Sequence, residues 1–230
     1  MKNKNYFFSD PSYKLITLIL VILIFLISIP TFAVEIVSLP LAKTEKDLYQ
    51  IEAKIPILMQ MDRKEVQAKY NNLFRDNILE FVEYTIDLAQ KNRVELAETD
   101  FPKREFVGKV DFDLKNKEQI LSIKFNYYQY TGGAHGNPYS LTYNIDLLTG
   151  KDVKLVDFLK RNNLNLIEVE NVIKTKINNN PDNYFQAEYG FQNLAEDQHY
   201  YLTENELVIY FQPYAIAPYS TGMPEFKIKY

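Results

Sequence analysis

Between residues 62 and 147 the spacing of apolar side chains changes from every third or fourth residue to every second, which fixes the class of fold this chain can adopt. Val66, Tyr70, Leu73, Phe74, Ile78, Phe81, Val82, Thr85, Leu88 and Ala89 recur at three and four. This pattern predicts one long amphipathic helix ending near Asn92, with Asp62 as the expected N-cap and Glu65 three residues further on. Phe106, Gly108, Val110, Phe112 and Leu114 then alternate with polar residues, Lys115 to Glu118 turns the chain, and Leu121, Ile123, Phe125 and Tyr127 alternate again. That is a β-hairpin. A third strand carries Leu141, Tyr143, Ile145 and Leu147 up to a turn at Thr149-Gly150-Lys151, so the three strands are expected to form an antiparallel meander.

The remaining elements follow from similar signals. Leu48 to Leu58 is rich in Ile and reads as a strand that Pro56 confines to an edge or an end. Leu155, Phe158 and Leu159 mark a short helical turn. A helix through Leu166, Val169, Val172, Ile173 and Ile177 follows, stopped by Asn178 to Asn180 and Pro181. Tyr200 to Thr203 and Leu207 to Phe211 flank a Glu204-Asn205 turn, and Glu225 to Tyr230 closes the chain as a strand. Strands and helices are segregated, so the expected fold class is α+β: a curved antiparallel sheet with helices packed on one face.

Ahead of this domain, Lys2, Lys4 and Lys14 precede an apolar run from Leu15 to Ile29. Fifteen helical residues reach roughly 22 Å, less than a bilayer core of about 30 Å. The run reads as a signal peptide, with Thr31-Phe32-Ala33 supplying the small residues for cleavage after Ala33. The alternative is an uncleaved signal anchor formed by residues 15–29. Either reading places residues 34–230 outside the cytoplasm, as a secreted or periplasmic protein or as a membrane-anchored one. The complete absence of Cys fits that address.

Composition then removes several classes of function. Without Cys there is no thiol nucleophile and no cysteine-ligated metal, and two His leave few ways to build a triad. Residues 34–230 carry 23 Lys plus Arg against 29 Asp plus Glu, a net charge of −6, which disfavours nucleic acid as a partner. No cofactor and no metal site are expected. A zinc site joining His135 and His199 to two of Asp146, Glu188, Glu196 and Asp197 has no support from spacing. Asp111 and Asp113, two apart on a strand, most simply form its solvent side, and Ser140 lacks a nucleophile-elbow pattern.

Three of the seven Gly fall in Thr131-Gly132-Gly133-Ala134-His135-Gly136-Asn137, between two predicted strands. Such a loop can bind an anion or ligand through its main chain, or simply supply the tight bends of a wide connection. Tyrosine is abundant at 18 residues and clusters in two places. Tyr127, Tyr128, Tyr130 and Tyr139 surround the glycine loop, and Tyr210, Tyr214 and Tyr219 lie near the C-terminus. Exposed members offer flat area and a hydroxyl to a glycan or a protein, while others serve the core. Gly132, Gly133, His135, Asn137, Tyr139, Tyr214 and Tyr219 are the candidate binding residues, and no catalytic residue is assigned.

Tyr130 to Asn137, then Tyr143-Asn144-Ile145-Asp146-Leu147 and Thr149-Gly150-Lys151, together with the run from Phe211 to Ser220 and Pro224-Glu225-Phe226, form a spaced pattern. It resembles the RsiV-like domain family, which includes the extracellular part of the lysozyme-sensing anti-sigma-V factor and the accessory region of PdaC-type peptidoglycan deacetylases. The resemblance covers about residues 45 to 230. It implies residues 34–128 as a deacetylase-associated part and residues 129–230 as the signature domain, packed as one unit. A cytoplasmic sigma-binding segment and the deacetylase's metal ligands have no counterpart here. The resemblance therefore implies an exported, non-enzymatic, monomeric envelope module that recognises a muramidase or peptidoglycan. The alternative is a small peptidoglycan-active hydrolase or deacetylase using His135 and a nearby carboxylate.

Overall fold

The computed structural model describes residues 34–230, which lie within one compact unit. The apolar run Leu15–Ile29 and the expected cleavage after Ala33 lie outside the described residues. Among the described residues no helix is long and apolar enough to cross a membrane.

Strands β1 (Glu35–Glu45) and β2 (Tyr49–Met59) form an antiparallel hairpin, with Glu35 opposite Met59 and Glu45 opposite Tyr49. Helix α1 (Lys64–Glu95) follows and then β3 (Phe106–Lys117), which pairs with β2 in parallel from Tyr49↔Phe106 to Ala53↔Val110. Beyond Ala53, β2 pairs with β1 alone, so Pro56 sits where the strand has only one neighbour and a missing N–H is tolerated. β4 (Ile120–Tyr130) and β5 (Asn137–Asp146) complete a five-stranded sheet in the order β1-β2-β3-β4-β5, the last three strands forming the antiparallel meander. A boundary between residues 128 and 129 falls inside β4.

Helix α1 is 32 residues long, about 48 Å at 1.5 Å per residue. Its buried residues are Val66, Tyr70, Phe74, Ile78, Phe81, Val82, Thr85 and Ala89. Those from Val66 to Val82 pack with Ile51, Ala53 and Ile55 of β2, Val110 of β3, Leu121, Ile123, Phe125 and Tyr127 of β4, and Ile145 of β5, while Ala89 packs with Leu48 and Phe106. The helix begins one residue later than the capping pattern predicts: Arg63 is the N-cap and its side chain makes no capping bond. Side chains further along α1 hold the entry instead. Asn71 accepts from Leu58 N at 2.7 Å and donates to Leu58 O at 3.0 Å, and Gln67 accepts from Met61 N at 3.1 Å. These bonds satisfy main-chain groups at the end of β2 and tie the strand to the helix.

After helices α2 (Leu155–Arg161) and α3 (Leu166–Asn178), the chain forms β6 (Tyr200–Leu202), β7 (Glu206–Tyr210) and β8 (Glu225–Lys229). Asn165 caps α3 by accepting from Ile167 N. The class is α+β as expected, but the strands divide into two sheets: β6-β7-β8 is a separate antiparallel sheet, and the first sheet contains a parallel pair. The helices divide as well, α1 packing on the first sheet and α2 and α3 on the second through Phe158, Val169, Ile173, Leu207, Ile209 and Phe226.

The second sheet does not extend the first because the outer edge of β5 is capped on either side of Thr142, at Ser140 and Asn144. Val153 N donates to Asn144 O at 2.8 Å, and the Gln212 side chain accepts from Ser140 N and donates to Ser140 O. The second sheet instead meets the face of β4 and β5 turned away from α1. There Ser122, Lys124, Ser140 and Asn144 are buried. Ser122 Oγ donates to Asn144 Oδ1 at 2.7 Å and accepts from Leu202 N at 3.0 Å, while Asn144 Nδ2 donates to Tyr200 O at 3.0 Å. Lys124 Nζ bonds Glu225 Oε1 at 2.8 Å, lies over the Tyr210 ring, and Tyr201 donates to Glu225 Oε2 at 2.8 Å. These bonds satisfy polar groups that would otherwise be costly to bury.

Candidate functional site

The glycine-rich loop joins β4 to β5, and two of its glycines have a local reason to be there, one in the backbone and one in a neighbouring side chain. Gly132 has φ +86°, a conformation most side chains avoid. A Cβ at Gly136 would lie 2.2 Å from the Tyr128 ring, whereas one at Gly133 would meet only the His135 carbonyl at 4.0 Å. Arg104 braces the loop from the segment ahead of β3. Its Nη1 donates to Tyr130 OH at 2.9 Å and to Gly133 O at 3.1 Å.

His135 is exposed at the end of this loop, where it meets the C-terminal tyrosines. Its ring stacks on Tyr219 with centroids 4.2 Å apart, and Tyr219 OH donates to Gly136 O at 2.8 Å. His135 Nδ1 lies 2.9 Å from Gly136 O and Nε2 lies 3.5 Å from Tyr214 OH. Tyr214 and Tyr219 have ring centroids 5.7 Å apart. The loop and the C-terminal segment, about eighty residues apart in sequence, thus build one aromatic surface.

Tyr214 stands in that surface at a conformational cost. Ala215 N donates to Gln212 O at 3.1 Å, so Gln212-Pro213-Tyr214-Ala215 is a β-turn, with Pro at its second position and Tyr214 at φ +65° in its third. This type II pattern ordinarily takes Gly or Asn there. A bulky aromatic residue at positive φ costs about 1 kcal/mol or more, and such strain clusters at functional sites. The side chain is 54% exposed, so core packing does not explain its place.

Two candidates lie apart from this cluster. Tyr139 turns to the α1 side of the sheet, stacked on Tyr127 at 4.6 Å and edge-on to Phe81 at 6.4 Å. Burial, with the Glu80 carboxylate adding to it, pushes its hydroxyl up to about 12. Position 139 has the core-facing parity of β5, so packing accounts for the residue. Asn137 opens β5 opposite Gln129 and is exposed. Arg104 was not legible as part of the site, since nothing in sequence links it to a loop nearly thirty residues away. Gln212, which supports the turn from the β5 edge, lies in the run from Phe211 to Ser220, but nothing in that run singles it out.

Among the described residues no carboxylate hydrogen-bonds His135. The other histidine, His199, stacks on Tyr210 at 5.4 Å, and Asp146 bonds Arg161 Nη1 at 3.0 Å and Thr149 N at 2.9 Å. Asp111 pairs with Lys54 at 2.7 Å and Asp113 with Lys115 at 3.2 Å, on one face of β3 as the alternation predicts. Ser140 is a buried strand residue whose Oγ donates to Asn126 Oδ1 at 2.8 Å.

The fold has known counterparts. Residues 42–138 match the family model described as Deacetylase PdaC, and residues 156–230 match that described as Protein of unknown function (DUF3298). A crystal structure of a DUF3298 family member from Bacteroides fragilis NCTC 9343 is similar over 87% of this chain and 92% of its own, with TM-score 0.66 and 19% identity. A DUF3298 family protein from Pseudomonas aeruginosa PAO1 is similar over 86% and 91%, with TM-score 0.55 and 20% identity. At these identities the likeness concerns the fold. No curated protein sequence matches the chain.

Proposed function

We propose that this protein is an exported, non-catalytic recognition module of the cell envelope, of the RsiV-like kind, whose His135–Tyr214–Tyr219 surface engages a muramidase or the glycan of peptidoglycan. The observation that carries this reading is Tyr214, an exposed aromatic side chain held at positive φ in a turn that would be more stable with glycine. A phenol fixed by its backbone loses little conformational freedom on binding, and Tyr is a favoured anchor at recognition surfaces. The net charge of −6 in residues 34–230 supports a basic partner through faster encounter. Among the described residues His135 bonds a main-chain carbonyl and a tyrosine hydroxyl and no carboxylate, which favours binding over turnover.

The test is a calorimetric titration of the protein with a lysozyme and, separately, with soluble peptidoglycan fragments, each mixture being analysed for cleaved or deacetylated product. Saturable binding without product is expected, and with lysozyme it should weaken as salt rises. Product formed by the protein and lost in His135→Ala, with the fold retained, would replace this reading by the enzymatic one.

A further inference from the structure

A second feature lies at the outer edge of β5. Antiparallel pairing makes the main-chain groups of alternate residues point to the same side of a strand. Ser140 and Asn144 both turn theirs outward, since Gln212 bonds Ser140 and Val153 N bonds Asn144 O. Thr142 lies between them with the same parity. Its N–H and C=O therefore also point out of the sheet, and no other described residue bonds them. Beside this rung opens a cleft of about 300 Å³, lined by Thr142, Tyr143, Asp152, Asp197 and His199 among others. That size lies at the small end of ligand pockets.

The cleft walls are polar and acidic. Asp152 accepts from Tyr70 OH at 3.0 Å and is 3.9 Å from Lys69 Nζ, while Asp197 has no charged partner among the described residues. The His199 ring is half-buried and stacked on Tyr210, yet neither ring nitrogen bonds another described residue. Burial lowers its proton affinity, against the raising effect of Asp197, so it does not cancel the acidic charge at neutral pH.

We infer that this cleft binds a short peptide bearing a lysine-type ammonium group. One peptide residue pairs with the Thr142 N–H and C=O, and the ammonium is held by Asp152 and Asp197 beside His199. The main-chain geometry selects a peptide. An extended residue presents its own N–H and C=O on one side and meets both groups of Thr142, whereas the trans acetamido group of an amino sugar points its N–H and C=O in opposite directions. The capped rungs at Ser140 and Asn144 restrict pairing to a single residue, so a long added strand is excluded. This site uses none of the aromatic surface around His135, and the two can fail independently.

The experiment follows the His199 ring resonances by NMR while the protein is titrated with N-acetyl-Ala-Lys-Ala-amide. Saturable shifts are expected. They should require about tenfold more peptide when the lysine is acetylated, when its main-chain nitrogen is methylated, or in Asp197→Asn and Asp152→Asn. The asparagine at 152 keeps an acceptor for Tyr70 OH, and Tyr214→Ala should leave the titration unchanged. No shift with the parent peptide, equal affinity for the acetylated or methylated peptide, or equal effects from 1,5-diaminopentane or N-acetylglucosamine would overturn the assignment.

Discussion

The two faces of β4 and β5 are built from alternate residues of the same two strands and are held by different physics. Toward α1 stand Leu121, Ile123, Phe125, Tyr127 and Ile145, dry and closely packed. Toward β6 stand Ser122, Lys124, Ser140 and Asn144, equally buried but joined by directed hydrogen bonds. The first face gains from apolar area and is indifferent to partner identity; the second gains little net energy and demands a particular partner at each atom. Polar alternation in a strand therefore marks a face that is not greasy, which is different from a face that is wet.

That contrast sets the size of mutational effects. Phe125→Ala removes a ring packed between Phe74 and Tyr143 and should cost about 3–5 kcal/mol in chemical denaturation. Ser122→Ala leaves Leu202 N and Asn144 Oδ1 without their partner, a loss of roughly 1–3 kcal/mol by the same measurement. Were the polar face an ordinary solvated surface, the serine change would be nearly silent.

The seam also carries a pH dependence. Burial pushes the Glu225 carboxyl up, but the hydrogen bonds from Lys124 and Tyr201 outweigh it and hold the carboxyl below its ordinary value. A carboxyl lowered on folding stabilises the protein above its unfolded pKa, and that contribution is lost as pH falls through the folded one. Denaturation midpoints should therefore drop between about pH 6 and pH 3, with a shallower slope in Glu225→Gln. The exposed Lys54–Asp111 pair gives the smallest effect: Lys54→Ala should change stability by less than about 1 kcal/mol.

The same contrast explains what was legible in sequence. Every buried residue of α1 was marked by its spacing, and the β3-β4-β5 meander by its alternation, because one buried apolar face imposes a period. β1 left no such mark. Val37 and Leu39 are exposed, Pro40 stands in mid-strand as a residue that ordinarily argues against one, and only Ile36 and Leu41 pack against the core. The division into two sheets was hidden because the Gln212 and Val153 contacts that cap the β5 edge are a few isolated bonds with no periodicity. At the candidate site, glycine crowding and tyrosine abundance pointed to His135, Tyr214 and Tyr219, while the strain at Tyr214 and the brace from Arg104 depend on backbone angles and distant packing.

Tyr214 links stability to recognition in a way one substitution separates. Tyr214→Gly relieves the positive φ and removes the phenol, so thermal unfolding should show a stability unchanged or raised by up to about 1 kcal/mol. The most direct measurement is a calorimetric titration of this folded variant with lysozyme and with soluble peptidoglycan fragments beside the natural protein. An affinity at least about tenfold lower for the ligand that the natural protein binds is expected. Unchanged affinity in the variant would contradict a recognition surface built around His135, Tyr214 and Tyr219.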